Sequence, residues 1–202
     1  MERNMTDLVI HSGSKREIRK LMLAKRNLIT QNEQDEFSRI IAERVISFTG
    51  YRQAELVFAY AGYGSEVKTD ELILKMLQDG KRVALPCSYV EDGICKMMFY
   101  ELSELSQLIS GYKGILEPDP TVCSFVNEVP DMMLIPGVAF DERGNRVGYG
   151  KGFYDYYFAH HEEVLKVALA YEFQVINRIE AEEFDTKMDV ILTQERIKIC
   201  QN

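Results

Sequence analysis

Apolar residues recur at helical spacing in residues 14–29, where Ser14 is a suitable N-cap. At 100° per residue, one face collects most of the apolar side chains: Ile18, Leu21, Met22, Leu28 and Ile29. Beside this face, Lys15, Arg19 and Arg26 fall within about 40° of one another. The segment therefore predicts a helix that packs by one side and carries a cationic stripe along its edge.

The following residues predict a second helix and then an alternation of strands and helices. The second helix is expected to begin at Thr30, because Thr30 and Glu33 have the capping-box spacing, and to end at Gly50. Apolar runs predict strands at 55–61, 82–86, 94–102, 131–136, 165–172 and 189–193. The strand at 189–193 is expected to be the last of the sheet. Helices are expected at 69–78 and from Gly152 onward. The run at 131–136 is apolar throughout, as expected for a strand buried on both faces.

This order of elements predicts the fold class. Strands that alternate with helices are typical of α/β domains, so we expect a single three-layer α/β/α domain with a mostly parallel central sheet. No internal repeat or linker divides residues 1–202, and residues 1–13 are expected to form a loose tail.

The charge and the cysteines exclude several classes of function. The formal net charge of −8 disfavours a general nucleic-acid or membrane-surface binder, so any anion must bind to a local cationic cluster. The apolar runs are shorter than a bilayer span, and the first residues lack a signal-peptide pattern. Four scattered cysteines without a CxxC pair indicate free thiols, so we expect a cytoplasmic protein. No obligate protein partner is evident.

Residues 144–158, GNRVGYGKGFYDYYF, are the strongest candidate site. Gly148, Gly150 and Gly152 allow positive φ and close approach of backbone amides to an anion, while Arg146 and Lys151 supply positive charge. The loop follows a buried strand, where open α/β sheets bind ligands. The spacing fits neither a Walker A motif nor a dinucleotide-binding GxGxxG. A plain flexible connection remains the alternative interpretation.

The longer run PGVAFDERGNRVGYGKGFYDYYF, residues 136–158, closely resembles the signature of the 5-formyltetrahydrofolate cyclo-ligase family. Three further segments lie where that family has its other motifs: KREIRKLMLAKR, FAYAGYGSEVKT and EEFDTKMDVILT. The resemblance implies closure of 5-formyltetrahydrofolate to 5,10-methenyltetrahydrofolate, with ATP and Mg²⁺ required and ADP and phosphate released.

The resemblance also implies roles for individual residues. Arg146 and Lys151 correspond to catalytic cations. The nucleotide-binding positions are Lys15, Arg19, Arg146, Gly148, Tyr149, Gly150, Lys151, Gly152, Phe153 and Tyr154. The substrate-binding positions are Glu66, Tyr149, Phe153 and Tyr154, where Glu66 pairs with the pterin N–H edge and the aromatic rings stack.

The metal-binding carboxylates implied by the resemblance are Asp155 and Asp185, with Asp189 as a competing ligand. The chain departs from the family pattern at Phe153, where tyrosine is usual, and at Cys87, where a basic residue is frequent.

Two other functions stay open at this point. One is a non-catalytic α/β sensor that binds a phosphorylated metabolite or folate. The other, weaker one is a sugar-phosphate isomerase, which would turn over without nucleotide.

Overall fold

The computed structural model describes residues 13–161, 163–182 and 184–200, so the predicted tail lies outside them except for Gly13. The helices are α1 Lys15–Arg26, α2 Gln31–Ser47, α3 Thr49–Gln53, α4 Asp70–Gln78 and α5 Phe153–Phe158. The strands are β1 Leu56–Phe58, β2 Arg82–Glu91, β3 Ile94–Leu102, β4 Leu108–Ser110, β5 Leu116–Pro118, β6 Ser124–Val126, β7 Met132–Ile135, β8 Ala139–Asp141, β9 Arg146–Val147, β10 Leu165–Leu169, β11 Val175–Ile176, β12 Val190–Leu192 and β13 Ile197–Ile199.

An eight-stranded sheet forms the centre, in the order β13-β12-β10-β7-β1-β2-β3-β6. The five neighbouring strands from β12 to β2 are parallel, and antiparallel pairs occur only towards the two margins of this sheet. The α/β class with a mostly parallel central sheet is therefore confirmed. Its organisation as one domain stays a prediction.

Helices cover both faces of this sheet, because the side chains of each strand alternate between the faces. In β1, Val57 packs with α2, α3 and α4 on one face. On the other face, Phe58 packs with Tyr157 and Phe158 of α5 and with Phe140 of β8. The second outer layer is thin, since one six-residue helix and part of a smaller sheet form it.

The smaller sheet, in the order β11-β8-β9, connects α1 to the rest of the molecule. Ile18 and Met22 of α1 pack against Val138, Ala139 and Val147. This contact places α1 beside the glycine-rich loop that follows β9. Among the helices of the described residues, none is both long and apolar enough to cross a bilayer.

The N-terminal caps of the first two helices are confirmed. Ser14 and Thr30 each accept a hydrogen bond from the backbone N–H three residues later, and each capping box is complete. The apolar face predicted for α1 is partly wrong, since Leu21 is 42% exposed and Leu28 is 65% exposed. The buried stripe instead contains Ile18, Met22 and Arg26.

Several predicted bounds are also wrong. Strand β1 ends at Phe58 and not at 61, β2 continues to Glu91 and not only to 86, and β10 ends at Leu169 and not at 172.

Phe48, in an extended conformation, separates α2 from α3, and Gly50 lies inside α3. A Cβ at Gly50 would lie 2.7 Å from Cδ2 of Leu165, so close packing rather than helix termination requires glycine there. The segment 189–193 does not supply the last strand, because β13 follows it and pairs antiparallel with β12.

Candidate active site at the carboxyl edge of the sheet

The candidate site lies where three loops meet at one edge of the central sheet. Residues 59–69 follow β1, residues 136–138 follow β7, and residues 148–152 join β9 to α5. Because β1 and β7 are parallel neighbours, their carboxyl ends lie at the same edge. A hydrogen bond from the hydroxyl of Tyr149 to the carboxylate of Glu66 joins the first loop to the third. Such an edge is where α/β sheets bind their ligands.

The glycine-rich bend, residues 148–152, has a conformation that requires glycine. Gly150 and Gly152 have φ of +82° and +74°, in the left-handed region. The Nε of Arg19 donates to the carbonyl of Gly148 at 2.7 Å. A Cβ on Gly150 would lie 3.3 Å from the guanidinium carbon of Arg19. The structure therefore brings Arg19 of α1 directly onto the bend.

Arg146 lies beneath the bend and is only 8% exposed. Its Nη2 donates to Oδ1 of Asp155 at 2.9 Å, and its guanidinium lies 5.3 Å from the centre of the Tyr154 ring. The Nε of Arg146 is buried and has no hydrogen-bond partner among the described residues. An unsatisfied buried donor on a cation is unfavourable.

Lys151 is exposed at the outer side of the bend. Within the described part of the chain, its ammonium group forms no hydrogen bond and no ion pair. The charge is therefore available to a ligand, in contrast to the paired charge of Arg146.

Lys15 lies at the start of α1 and forms ion pairs with Asp185 and Glu182 rather than with the bend. Within residues 13–161, 163–182 and 184–200, no hydrogen bond or ion pair connects this cluster to Arg146 or Asp155. Asp189 lies elsewhere, at the amino end of β12, where its carboxylate accepts the backbone N–H of Lys166 at 2.8 Å. Asp185, and not Asp189, is therefore the acid that pairs with α1.

Glu66 forms the centre of the polar cluster at the first loop and is 7% exposed. Its carboxylate accepts hydrogen bonds from the hydroxyl of Tyr149 and, at 2.9 Å, from the backbone N–H of Tyr63. Burial raises the pKa of Glu66, while these two hydrogen bonds and the charge of Arg26 oppose that rise. Burial and the nearby Glu66 carboxylate raise the pKa of Tyr149, so its hydroxyl remains protonated at neutral pH.

The aromatic residues of the signature have different environments. Tyr154 lies between the guanidinium of Arg146 and the ring of Phe158, which it stacks on at 6.4 Å. Phe153 contacts the ring of Tyr112 edge-on at 5.8 Å. Tyr60 is buried beside Glu66, and burial raises the pKa of its hydroxyl. Tyr60 and Tyr112 carried no sequence signal for the site, since isolated tyrosines are common in cores.

The residues present fit Mg²⁺ only as an ion shared with a phosphate ligand. Among the residues that the structure describes, no group of three or more His, Cys, Asp or Glu side chains is placed to hold a metal ion. Asp155 and Asp185 are each paired with a cation. Mg²⁺ commonly binds one or two carboxylates together with phosphate oxygens and water. Two carboxylates and a phosphate ligand would therefore be a typical set of Mg²⁺ ligands.

A family model described as the 5-formyltetrahydrofolate cyclo-ligase family matches residues 11–194. This chain belongs to that family. The 5-formyltetrahydrofolate cyclo-ligase of Escherichia coli strain K12 is 27% identical over 176 residues, which cover 86% of this chain and 96% of that protein. A probable 5-formyltetrahydrofolate cyclo-ligase of Caenorhabditis elegans is 29% identical over 189 residues, covering 88% of this chain and 91% of that protein.

Two solved structures are similar to this chain. The 5,10-methenyltetrahydrofolate synthetase of Aquifex aeolicus has a TM-score of 0.80 and 31% identity, and the match covers 93% of each chain. A synthetase of Mycoplasma pneumoniae has a TM-score of 0.68 over 90% of this chain, but at 22% identity it supports the fold alone. The predicted family and enzyme class are confirmed.

Sequence reasoning also missed a buried cation of the candidate site. Arg26 was placed on the cationic stripe without a role, yet it is 3% exposed and its Nη2 donates to the hydroxyl of Tyr149. A signal was present, because Arg26 lies four residues after Met22 and eight after Ile18, the two buried positions of α1.

Proposed function

We propose that this protein closes 5-formyltetrahydrofolate to 5,10-methenyltetrahydrofolate in an ATP- and Mg²⁺-dependent reaction that releases ADP and phosphate. The observation that supports it most is the meeting of two clusters at one sheet edge. A cationic glycine bend with Arg19, Arg146 and Lys151 lies next to the buried Glu66–Tyr149 pair. The first suits a triphosphate and the second suits a polar heterocycle.

The chemistry explains why both clusters are needed. In the ring closure, a neighbouring nitrogen of the folate attacks the formyl carbon and loses its proton. The bond between the formyl carbon and its oxygen must break, so this oxygen must depart. That oxygen is a poor leaving group on its own, and ATP supplies the phosphoryl group with which it leaves as phosphate. Catalysis of such a transfer rests on positioning and on stabilisation of negative charge.

The phosphate-binding role belongs to the bend and its cations. The backbone amides of residues 148–152 and the guanidinium groups of Arg19 and Arg146 hold the phosphates in this proposal. Lys151, which is exposed and unpaired among the described residues, contacts the phosphoryl group in transfer. Asp155 and Asp185 contribute to Mg²⁺ binding, which requires that each releases its present cation.

The folate-binding role belongs to the first loop and to aromatic rings. Glu66 accepts from the N–H edge of the pterin, and Tyr149 fixes the carboxylate for this contact. Phe153, with Tyr112 against it, offers an aromatic surface for a flat ring. In this proposal Tyr154 acts through Arg146, whose guanidinium lies over its ring.

We also propose a cytoplasmic location, which cell fractionation would test.

Turnover is measured as the near-ultraviolet absorbance of the methenyl product, with and without ATP. We expect Lys151→Ala to lower kcat by at least about a hundredfold, because a charge that acts on the transferring group stabilises the transition state by several kcal/mol. The fold is expected to remain intact, since Lys151 is exposed and unpaired among the described residues.

Lys75→Ala is the matched control, because Lys75 lies on α4 and its one ion pair among the described residues is with Asp79. It should leave kcat unchanged. Folded wild-type protein that produces no methenyl absorbance would refute the proposed reaction. Folate binding without ATP consumption would instead support the non-catalytic sensor, and turnover of a sugar phosphate without ATP would support an isomerase.

A further inference from the structure

Arg26 is a buried arginine whose donors connect three segments of the candidate site. It is 3% exposed. Its Nε donates to Oγ of Ser65 at 3.1 Å and its Nη1 to the carbonyl of Gly137 at 3.2 Å. Its Nη2 donates to the hydroxyl of Tyr149. One side chain of α1 therefore ties together the loops that follow β1, β7 and β9.

The hydrogen bonds continue from Arg26 through Tyr149 to Glu66. The Tyr149 hydroxyl accepts from Arg26 and donates to the Glu66 carboxylate. The Arg26 guanidinium also lies 5.5 Å from the centre of the Tyr149 ring. The Tyr149 hydroxyl thus lies between the cation of Arg26 and the anion of Glu66. This arrangement orients the Arg26 N–H and the Tyr149 O–H, the two donors of this series of hydrogen bonds.

The electrostatic surroundings of Glu66 depend on this arrangement. The titratable or charged groups around Glu66 include one hydrogen-bond donor, Tyr149 of the bend. The others are Arg26 of α1, Tyr60 after β1, Tyr154 of α5 and Tyr171 after β10. Arg26 is the one cation in this set. Burial raises the pKa of Glu66, and Arg26 lowers it again.

We infer that Arg26 is a positioning residue that holds the Tyr149 hydroxyl and the Glu66 carboxylate in the arrangement that receives the folate. This inference rests on the proposed function for the identity of the ligand. Arg26 acts from inside the protein, since it is 3% exposed and its hydrogen bonds among the described residues go to Ser65, Gly137 and Tyr149. The same helix carries Arg19, so α1 supports the folate half and the phosphate half of the site together.

The test is Arg26→Met, which keeps the length of the side chain and removes its charge and donors. We expect the KM for 5-formyltetrahydrofolate to rise about tenfold to a hundredfold, as for the loss of charged hydrogen bonds, while the KM for ATP stays within about twofold. The acid limb of the pH profile should move to higher pH, because Glu66 without Arg26 ionises at a higher pH. Arg26→Lys should restore the acid limb in large part.

Arg44→Met is the matched control, since Arg44 of α2 also ties a helix to a distant backbone, that of Gln194, which lies outside the three loops of the candidate site. It should alter stability and leave both KM values unchanged. Equal rises in the two KM values of Arg26→Met would show a merely structural role and overturn the inference. So would an unmoved acid limb.

A second measurement separates this inference from the proposed function. The carboxyl ¹³C resonance of Glu66, identified by its loss in Glu66→Gln, is titrated in the wild type and in Arg26→Lys, Arg26→Met and Tyr149→Phe. We expect a higher pKa in Arg26→Met and in Tyr149→Phe, and a value near that of the wild type in Arg26→Lys. An identical titration in all four proteins would refute the role of Arg26, whether or not the wild type turns over folate.

Discussion

At the scale of single residues, three cations of one helix have three different environments. Lys15 pairs with acids of the segment at 182–185, Arg19 lies on the glycine bend, and Arg26 is buried against Tyr149. The sequence predicted all three on one stripe, because a rotation of 100° per residue gives only the directions of side chains relative to one another around the helix. It could not tell which of them faces solvent, since that depends on the small sheet against which α1 packs.

The glycines of the bend differ in what they contribute. Gly150→Ala is expected to destabilise the protein by about 1 kcal/mol, because alanine is unfavourable at a φ of +82°. It should also raise the KM for ATP, since the new Cβ would lie 3.3 Å from the Arg19 guanidinium and displace it. Thermal unfolding and steady-state kinetics on the same preparation measure the two effects.

Gly80→Ala separates the backbone effect from the contact. Gly80 has a φ of +75° and nothing within 4 Å of a Cβ placed on it. The two variants should lose similar stability, and only Gly150→Ala should bind ATP less well. An unchanged KM for ATP in Gly150→Ala would contradict the role assigned to the contact between Arg19 and the bend.

At the scale of secondary-structure elements, α1 is the support on which the site depends. We expect Ser14→Ala to lower stability by about 1 kcal/mol through loss of the capping box. Because Lys15 and Arg19 follow in the first two turns, fraying of α1 should also raise the KM for ATP. Chemical denaturation and kinetics test both parts.

Thr30→Ala is the comparison, since Thr30 forms an equivalent capping box at the start of α2. It should lose similar stability while the KM for ATP remains that of the wild type. If the two variants affect the KM for ATP equally, α1 has no special relation to the nucleotide.

The elements predicted from the sequence are those that show a periodic pattern or a continuous apolar run. The long β3 and the apolar β7 were predicted at or near their observed bounds, and the N-caps Ser14 and Thr30 were predicted correctly. The small sheet of β8, β9 and β11 was not predicted, because strands of two or three residues carry no alternation. The hairpin of β8 and β9 nevertheless leads into the glycine bend. The sequence therefore predicted the position of the candidate site but not the small sheet that supports it.

At the scale of the whole molecule, an acidic protein concentrates cations at one edge of its sheet. The formal net charge is −8, yet Arg19, Arg146 and Lys151 meet at the glycine bend. The signature predicted this bend because glycine and cation spacing is local. It could not predict that Asp155 and Asp185 are paired with Arg146 and Lys15, since those contacts depend on the tertiary fold.

The central claim is that the glycine bend binds the phosphates of ATP beside the Glu66–Tyr149 pair. A crystal structure with a non-hydrolysable ATP analogue, Mg²⁺ and 5-formyltetrahydrofolate tests it most directly. We predict phosphate oxygens within hydrogen-bond distance of the backbone amides at 148–152 and of Arg19 or Arg146, with the pterin edge at Glu66. Phosphates bound elsewhere, with the amides of the bend directed away from them, would contradict this account.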